Sequence, residues 1–393
     1  MPKLVYIVTV PLAARIFLRG QLTFLRQNHY DITVITSPGT DLEAVAQEGV
    51  KIVALPMERE ISPWRDMLSL WQLFLILHRL KPDIVNVSTP KAGLLGSLAA
   101  WLARVPVRVY LVRGLRLETT TGPRRLLLTW TERLASLCAH YVVCNSASLL
   151  QSYGRLGLAA EHKLLMVGHG SSNGVNAARF QKTAATEEQA RRLRASLGWP
   201  KGSRVLGFVG RLTKDKGISE LLTSFEKLAQ TQPELYLLLV GDVEEGDPIA
   251  AEQLTYIRTH PRIHLTGFVS EPALYYHLMD ILIFPSYREG FPNAPLEAAA
   301  AGLPTIGFDV TGVRDAVVHE QTGILLPTPS ADDLAQAIDL LLQDETTRQK
   351  LGMNAQNRVR SDFDPTIIWL QWMNFYEHIL TEKLLSVARQ THL

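Results

Sequence analysis

The chain is poor in cysteine. Its 393 residues include two, Cys138 and Cys144. That is too few for a disulfide framework, and no metal-like spacing surrounds them, so both read as buried thiols of a reducing compartment. Long apolar runs are also missing. No stretch of about 18 consecutive apolar residues occurs, which argues against a membrane span. The opening Met1-Pro2-Lys3 leads directly into the run Leu4 to Val10, too short for the apolar region of a secretion signal. The expected address is the cytoplasm or the cytoplasmic face of the inner membrane. The sequence carries no Gly-x-x-x-x-Gly-Lys-Ser/Thr loop and no Gly-x-Gly-x-x-Gly fingerprint, which disfavours P-loop and dehydrogenase chemistry. Asp362-Phe363-Asp364 has the form of a metal-binding Asp-x-Asp. It precedes Pro365 and a terminal helix, however, where capping is the simpler role.

Charge of one sign is scarce overall but not locally. The net charge is +2, and no nucleic-acid partner is expected. Residues 1–178 hold 19 Lys and Arg against 11 Asp and Glu, and residues 179–393 hold 21 against 27. A basic first half beside an acidic second half points to an anionic partner for the first.

What is present is a rhythm of short β-rich runs alternating with helical stretches, the signature of parallel strands joined by crossover helices. Leu4–Val10, Ile32–Thr36, Lys51–Leu55, Ile84–Val87, Val107–Val112 and Tyr141–Cys144 read as strands. Residues 15–29 and Trp64–Leu80 read as helices. After a helix-like connector, Thr186–Gly198, a second cycle starts with strands at Val205–Val209, Tyr236–Val240, Ile281–Phe284 and Thr305–Phe308. A last helix from Pro365 carries Trp369, Trp372 and Phe375. The expected division is 1–178, 179–365, and a terminal helix, 366–393, that packs back on the first domain.

Two segments carry chemistry. In the first, a strand ends in Gly210-Arg211, and a basic turn with Lys216-Gly217 opens a helix. Strand ends are where α/β sheets bind ligands, Arg can grip a phosphate with two bonds, and Lys adds a point charge. The second segment runs from Arg288 to Gly302. Glu289 lies in a loop with Gly290 and Phe291, Asn293 suits a helix N-cap, and Glu297 follows within about a turn. Free N–H groups at such a helix start form an anion site, and a carboxylate beyond it can accept ribose hydroxyls. In the first half, Thr89-Pro90 with Lys91 reads as a further helix start beside a cation. Gly122 to Leu134 is a basic amphipathic stretch with Arg124, Arg125, Trp130 and Arg133, the composition of a helix lying on an anionic membrane surface. The helix Trp64–Leu80 is apolar nearly all round and suits either a core or a lipid surface.

Gly210-Arg211, Lys216-Gly217 and the Glu289/Glu297 pair resemble family 4 of the retaining glycosyltransferases, over about Ser203 to Ala316. The resemblance implies an α/β GT-B fold: two facing doubly wound, Rossmann-like parallel-sheet domains with a C-terminal helix crossing back. It implies that Arg211 and Lys216 hold the donor diphosphate, Glu289 lies by the donor sugar and Glu297 binds ribose. It also implies that Phe268 and Val269 meet the base, while Gly210, Gly290, Phe291 and Asn293 line the site. Arg211, Lys216 and Glu289 are thus the expected catalytic set, with a UDP-sugar as co-substrate and no metal or other cofactor. Ser88–Gly93, Arg113–Arg116 and Gly170–Gly174 are similar to capsule and O-antigen enzymes that extend polyprenyl-diphosphate-linked sugars. Thr89, Lys91, Arg113, Arg116 and Glu118 are the corresponding acceptor candidates, and the donor sugar is expected to be of the N-acetylated hexosamine type. The first half departs from the family pattern. Thr9-Val10-Pro11-Leu12-Ala13-Ala14 stands where relatives carry a glycine-rich loop, and Arg113–Glu118 stands where many carry a His. Two other readings stay open: a UDP-sugar epimerase of the same fold, and a catalytically silent subunit of a polysaccharide-assembly complex.

Overall fold

The structure, a computed structural model, describes residues 1–58, 62–244 and 246–391. The chain forms two compact units, Met1–Asn173 with Pro365–Leu393, and Gly174–Asp364.

The first unit runs β1 (Lys3–Ile7), α1 (Pro11–Phe17), α2 (Gln21–Gln27), β2 (Asp31–Thr36), α3 (Leu42–Ala46), β3 (Lys51–Ala54), α4 (Pro63–Leu80), β4 (Ile84–Ser88), α5 (Pro90–Leu102), β5 (Val107–Val112), α6 (Gly122–Cys138), β6 (Tyr141–Cys144), α7 (Ala147–Arg155) and β7 (Leu164–Leu165). Its seven strands are parallel, in the order β3-β2-β1-β4-β5-β6-β7. β4 is buried at every position, as a strand covered on both faces must be. The helix expected over 15–29 is instead two helices broken at Gly20. There φ is 77°, and a Cβ would lie 2.5 Å from the Trp369 ring. The Gly20 N–H, at the start of α2, donates to the Glu48 carboxylate at 2.6 Å.

The second unit runs α8 (Ala184–Ser196), β8 (Arg204–Val209), α9 (Ile218–Thr231), β9 (Leu235–Val240), α10 (Ala251–Thr259), β10 (Ile263–Leu265), α11 (Ala273–Tyr276), β11 (Ile281–Phe284), α12 (Asn293–Ala300), β12 (Thr305–Phe308), α13 (Val313–Ala316), β13 (Gly323–Leu326), α14 (Ala331–Gln343) and α15 (Glu345–Asp362). Its six parallel strands lie in the order β10-β9-β8-β11-β12-β13. Leu206, Phe208, Phe225, Ile283 and Phe308 are fully shielded at the centre of its core.

The last helix, α16 (Pro365–Thr391), belongs to the first unit. Ile368, Trp372, Tyr376 and Ile379 are buried, at i, i+4, i+8 and i+11 on one face. The Tyr376 hydroxyl sits 3.0 Å from that of Tyr6 on β1, and Asn86 on β4 donates to it at 2.7 Å. The Trp369 indole donates to Asn173 at 2.6 Å. Each fully buried large apolar side chain contributes roughly 1.5–3 kcal/mol, so these residues account for the docking of a helix distant in sequence.

Candidate functional site

In the second unit, β8 leads to β9 and β10 on one side, while β11 leads to β12 and β13 on the other. The crevice beyond the C-terminal ends of β8 and β11 is therefore the topological switch point, the ligand position of open α/β sheets. Gly210, Arg211 and Lys216 follow β8, and Glu289, Gly290 and Phe291 follow β11. The two loops are tied together. The Tyr287 N–H donates to the Asp215 carbonyl at 2.9 Å, and Arg288 pairs with the Asp215 carboxylate at 2.7 Å. Gly217 has φ 69°, and a Cβ there would lie 2.0 Å from the Pro285 carbonyl oxygen, so glycine permits the close approach. Lys216 pairs with Glu289, both largely shielded, while the more exposed Arg211 pairs with Glu244. Burial alone would raise the Asp215 carboxyl, but the Thr213 hydroxyl and the neighbouring Arg288 and Lys216 hold it below its usual value.

Asn293 is not the N-cap. Pro292 takes that place in extended backbone (φ −77°, ψ 133°), Asn293 is the first helical residue, and no side chain caps α12. The fixed φ of proline and its missing N–H suit it to the flanking position, which starts the helix one residue earlier than an Asn293 cap would. Glu297 lies one turn into α12. Tyr276, fully buried on α11, donates its hydroxyl to the Glu297 carboxylate at 2.8 Å. Burial raises the Glu297 carboxyl above the usual range, only partly opposed by the Tyr276 bond and by Arg179, which pairs with Glu271. Phe268 is 63% exposed and Val269 half-buried, beyond the end of β10. Cations, an uncapped helix start and a shielded carboxylate on one sheet end can hold an anion linked to a hydroxyl-bearing group. Asp215, Arg288, Tyr276 and Arg179 were not singled out from the sequence. Tyr276 is 21 positions from Glu297, with no helical or strand period to link them.

The first unit repeats the arrangement, with its switch point between β1 and β4. Thr9 and Thr89, beyond those strands, bring their hydroxyls to 2.7 Å. Thr89 has φ 73°, rare for a β-branched residue and a form of local strain. Lys91, expected to face an anion, instead pairs with Asp66 at 2.7 Å. Arg113 and Arg116, expected to work together, are separated in character. Leu115 and Leu117 are buried, so the residue between them turns outward and Arg116 is exposed. Arg113 lies with its guanidinium 4.2 Å from the Phe17 ring centroid, and its Nε and Nη1 are shielded with no hydrogen-bond partner among the described residues. Burial pushes its pKa down to about 9, partly opposed by Tyr6 and Tyr376. Glu118 is half-buried on the 3-10 turn Arg116–Glu118. On α6, Arg124 and Arg125 are exposed, Trp130 is 67% exposed, and Arg133 lies 6.0 Å from the Trp130 ring and donates to the Gly157 carbonyl. Among the described residues, no helix is long and apolar enough to cross a membrane, and no cluster of His, Cys, Asp or Glu suits a metal ion.

Comparison with known proteins agrees with the fold. Residues 189–358 match the model of glycosyl transferases group 1, and residues 15–170 match the glycosyl transferase 4-like domain. The capsular polysaccharide biosynthesis glycosyltransferase CapM of Staphylococcus aureus is 36% identical over 381 residues, covering 97% of this chain and 98% of that one. An Escherichia coli UDP-Gal:alpha-D-GlcNAc-diphosphoundecaprenol alpha-1,3-galactosyltransferase is 26% identical, covering 92% and 93%. Among solved structures, HepE of Anabaena in complex with UDP-glucose superposes with a TM-score of 0.79 at 21% identity, covering 98% of this chain and all of that one. WaaG, a lipopolysaccharide biosynthesis glycosyltransferase, gives 0.73 at 14%, covering 93% and 97%.

Proposed function

Because this chain belongs to the family 4 glycosyltransferases of the GT-B fold, of the capsule and O-antigen type, we propose that it moves a sugar from a UDP-sugar to a polyprenyl-diphosphate-linked saccharide, with retention at the anomeric carbon. The proposed donor sugar is of the N-acetylated hexosamine type, and the product extends a capsule, O-antigen or exopolysaccharide unit. The observation that carries the donor half is the convergence of Arg211, Lys216 and Glu289 at the β8/β11 switch point, with Glu297 one turn into α12. The anomeric carbon–oxygen bond to the diphosphate breaks, a bond to the acceptor hydroxyl oxygen forms as its proton passes to the leaving diphosphate, and UDP leaves with its charge met by Arg211, Lys216 and the start of α12. Such pre-set charge stabilises a leaving diphosphate without a metal. Phe268 and Val269 meet the base, Glu297 accepts the ribose hydroxyls, and Gly210, Gly290, Phe291 and Asn293 approach sugar and phosphate with backbone groups.

The acceptor half rests on Arg113, a half-buried cation whose Nε and Nη1 are shielded and meet no hydrogen-bond partner among the described residues. A shielded charge of this kind calls for a counter-charge, and the acceptor diphosphate supplies one. Thr89 stands at the same sheet end, whereas Lys91 would have to leave Asp66 to take part. The S. aureus and E. coli relatives are a capsular enzyme and a transferase named for a diphosphoundecaprenol substrate. The protein acts at the cytoplasmic membrane face, attracted there by Arg124, Arg125, Arg133 and Trp130. The test is transfer of labelled sugar from UDP-sugars to a synthetic polyprenyl-diphosphate saccharide, with the product's anomeric configuration read by NMR. Inversion, or turnover only to free or epimerised sugar, would overturn the reading.

A further inference from the structure

We propose that α4, α5 and α6 together form one lipid-docking face, on which tryptophan and leucine inserted among lipid headgroups hold the protein more firmly than arginine does. This rests on the membrane reading above and changes its basis from surface charge on one helix to an apolar platform of three.

A crossover helix of an α/β sheet ordinarily buries one apolar stripe and shows a polar one. α4 carries two apolar stripes. Ser69, Leu73 and Leu77 are buried, while Trp64, Met67, Leu68 and Trp71, at i, i+3, i+4 and i+7, are 85%, 63%, 63% and 59% exposed. α6 repeats this. Ala135, Ser136 and Cys138 face inward, while Leu126, Trp130, Leu134 and Leu137 lie along the outside. That outer row spans about 16 Å at the rise of an α-helix. α5 packs against both α4 and α6 and adds exposed Trp101 and Leu102 at its end. Four of the chain's seven tryptophans are thus exposed on three neighbouring helices. Exposed tryptophan at this density suits a membrane interface, where one ring edge meets apolar chains and the indole N–H stays wet.

Charge decides the occupant. The only carboxylates on the three helices are Asp66 and Glu132. Asp66 is taken by Lys91, and Glu132 accepts hydrogen bonds from the buried Tyr110 and Tyr153 at 2.8 and 3.0 Å. The exposed charges of these helices are cationic: Arg65, which pairs with Glu58 in the loop before α4, Arg79, Arg124, Arg125 and Arg133. Tryptophan, leucine and arginine without an outward acid complement an anionic bilayer surface. A second copy of the chain fits less well, because an isologous contact would set like charges against each other.

The face also has a direction. Parallel strands put the starts of α4, α5 and α6 at the sheet end that bears Thr9, Thr89 and Arg113, and the Lys91–Asp66 pair joins the first turns of α5 and α4. Trp64, Met67, Leu68 and Leu126 lie toward that end and Trp101, Leu102 and Leu137 toward the other, so a docked protein lays the length of the helices along the bilayer, with Thr9, Thr89 and Arg113 at one margin of the contact.

The experiment is vesicle flotation of the full chain with phosphatidylcholine alone and with phosphatidylglycerol added, at low salt and at about 1 M NaCl, where screening shortens to roughly 3 Å. The expected result is that wild type stays on the anionic vesicles at high salt. The double variant Trp64→Gln, Trp71→Gln should lose roughly tenfold in that salt-resistant binding, while Arg124→Glu, Arg125→Glu should weaken only the low-salt binding. UDP affinity serves as the folding control and should be unchanged in both. Complete release of wild type by salt would overturn the platform and leave a purely electrostatic attachment standing. Failure to bind any vesicle, with transfer in detergent intact, would overturn both modes of docking but not the transferase reading. A dimer in solution that the Trp64/Trp71 variant dissociates would assign the face to a second copy instead.

Discussion

The Tyr276 hydroxyl donates to the Glu297 carboxylate at 2.8 Å, from a side chain with no solvent exposure. Tyr276 touches no ligand in the proposed reading. It positions the carboxylate that accepts the ribose hydroxyls, and its loss would leave a shielded acceptor without its donor. Such a loss costs about 1–3 kcal/mol. Tyr276→Phe should therefore weaken UDP binding roughly tenfold while weakening 2′,3′-dideoxy-UDP far less. Calorimetry with the two nucleotides checks this. An equal loss for both would mean that the variant perturbs the site generally.

Glu297 also sets a pH dependence. Burial holds its carboxyl above the ordinary range, and the ionised form is the better ribose acceptor. UDP affinity should fall as pH drops through this raised value, at a higher pH than an ordinary carboxylate would give. Stability moves the other way. A carboxyl raised by folding contributes stability that is fully present below its unfolded pKa and is lost as pH rises through the folded one. Glu297→Gln should thus raise the melting temperature at neutral pH, and raise it less in acid, while abolishing the pH dependence of UDP binding.

Glu132 provides the control, because burial raises it too and it lies outside both proposed substrate sites. Glu132→Gln should stabilise the protein at neutral pH by the same linkage, with UDP affinity unchanged. A thermal scan across pH that shows destabilisation instead would mean that the two tyrosine bonds to the charged carboxylate outweigh its burial.

In the loops of the β8/β11 crevice, Lys216→Ala should reduce UDP-sugar affinity by tenfold or more, since a charge-assisted bond in a shielded site contributes about 1.5–3 kcal/mol. Arg211→Ala should act in the same direction. Activity should survive excess EDTA, because side chains and a helix start supply the positive charge. Loss on chelation, restored by Mn²⁺ or Mg²⁺, would contradict that part of the account.

Arg113 should separate stability from function. A half-buried cation whose shielded nitrogens meet no counter-charge among the described residues destabilises the fold, so an apolar replacement of similar length is neutral or stabilising. Arg113→Met should hold or raise the melting temperature and still raise the KM for lipid-linked acceptor, with UDP affinity intact. A melting temperature well below wild type would show that the guanidinium stabilises the fold through its Phe17 contact.

The alternation of β-rich runs with helices was enough to read two parallel sheets, because buried strands are continuous apolar segments and their crossovers have helical length. The loop carrying Lys216 and the one carrying Glu289 were legible from glycine and charge placed at strand ends. What the sequence hid was contact across distance. Nothing local links Tyr276 to Glu297, Asp215 to Arg288, or Lys91 to Asp66. The break at Gly20 was hidden for the same reason, since the Trp369 ring that demands it comes from the far end of the chain. For α4, the composition was read as apolar nearly all round, but only the packing divides its residues into an inner stripe and an outer one.

The central claim, transfer from a UDP-sugar to a lipid-linked diphosphate saccharide, is tested most directly by following radiolabel. The full chain is incubated with labelled UDP-N-acetylhexosamines and a polyprenyl-diphosphate saccharide, and the organic phase is counted against UDP released. The account predicts label in the lipid product in step with UDP, unchanged by EDTA and lost in Lys216→Ala. UDP release or sugar epimerisation with no label in lipid, or equal transfer to a soluble saccharide lacking the diphosphate, would contradict it.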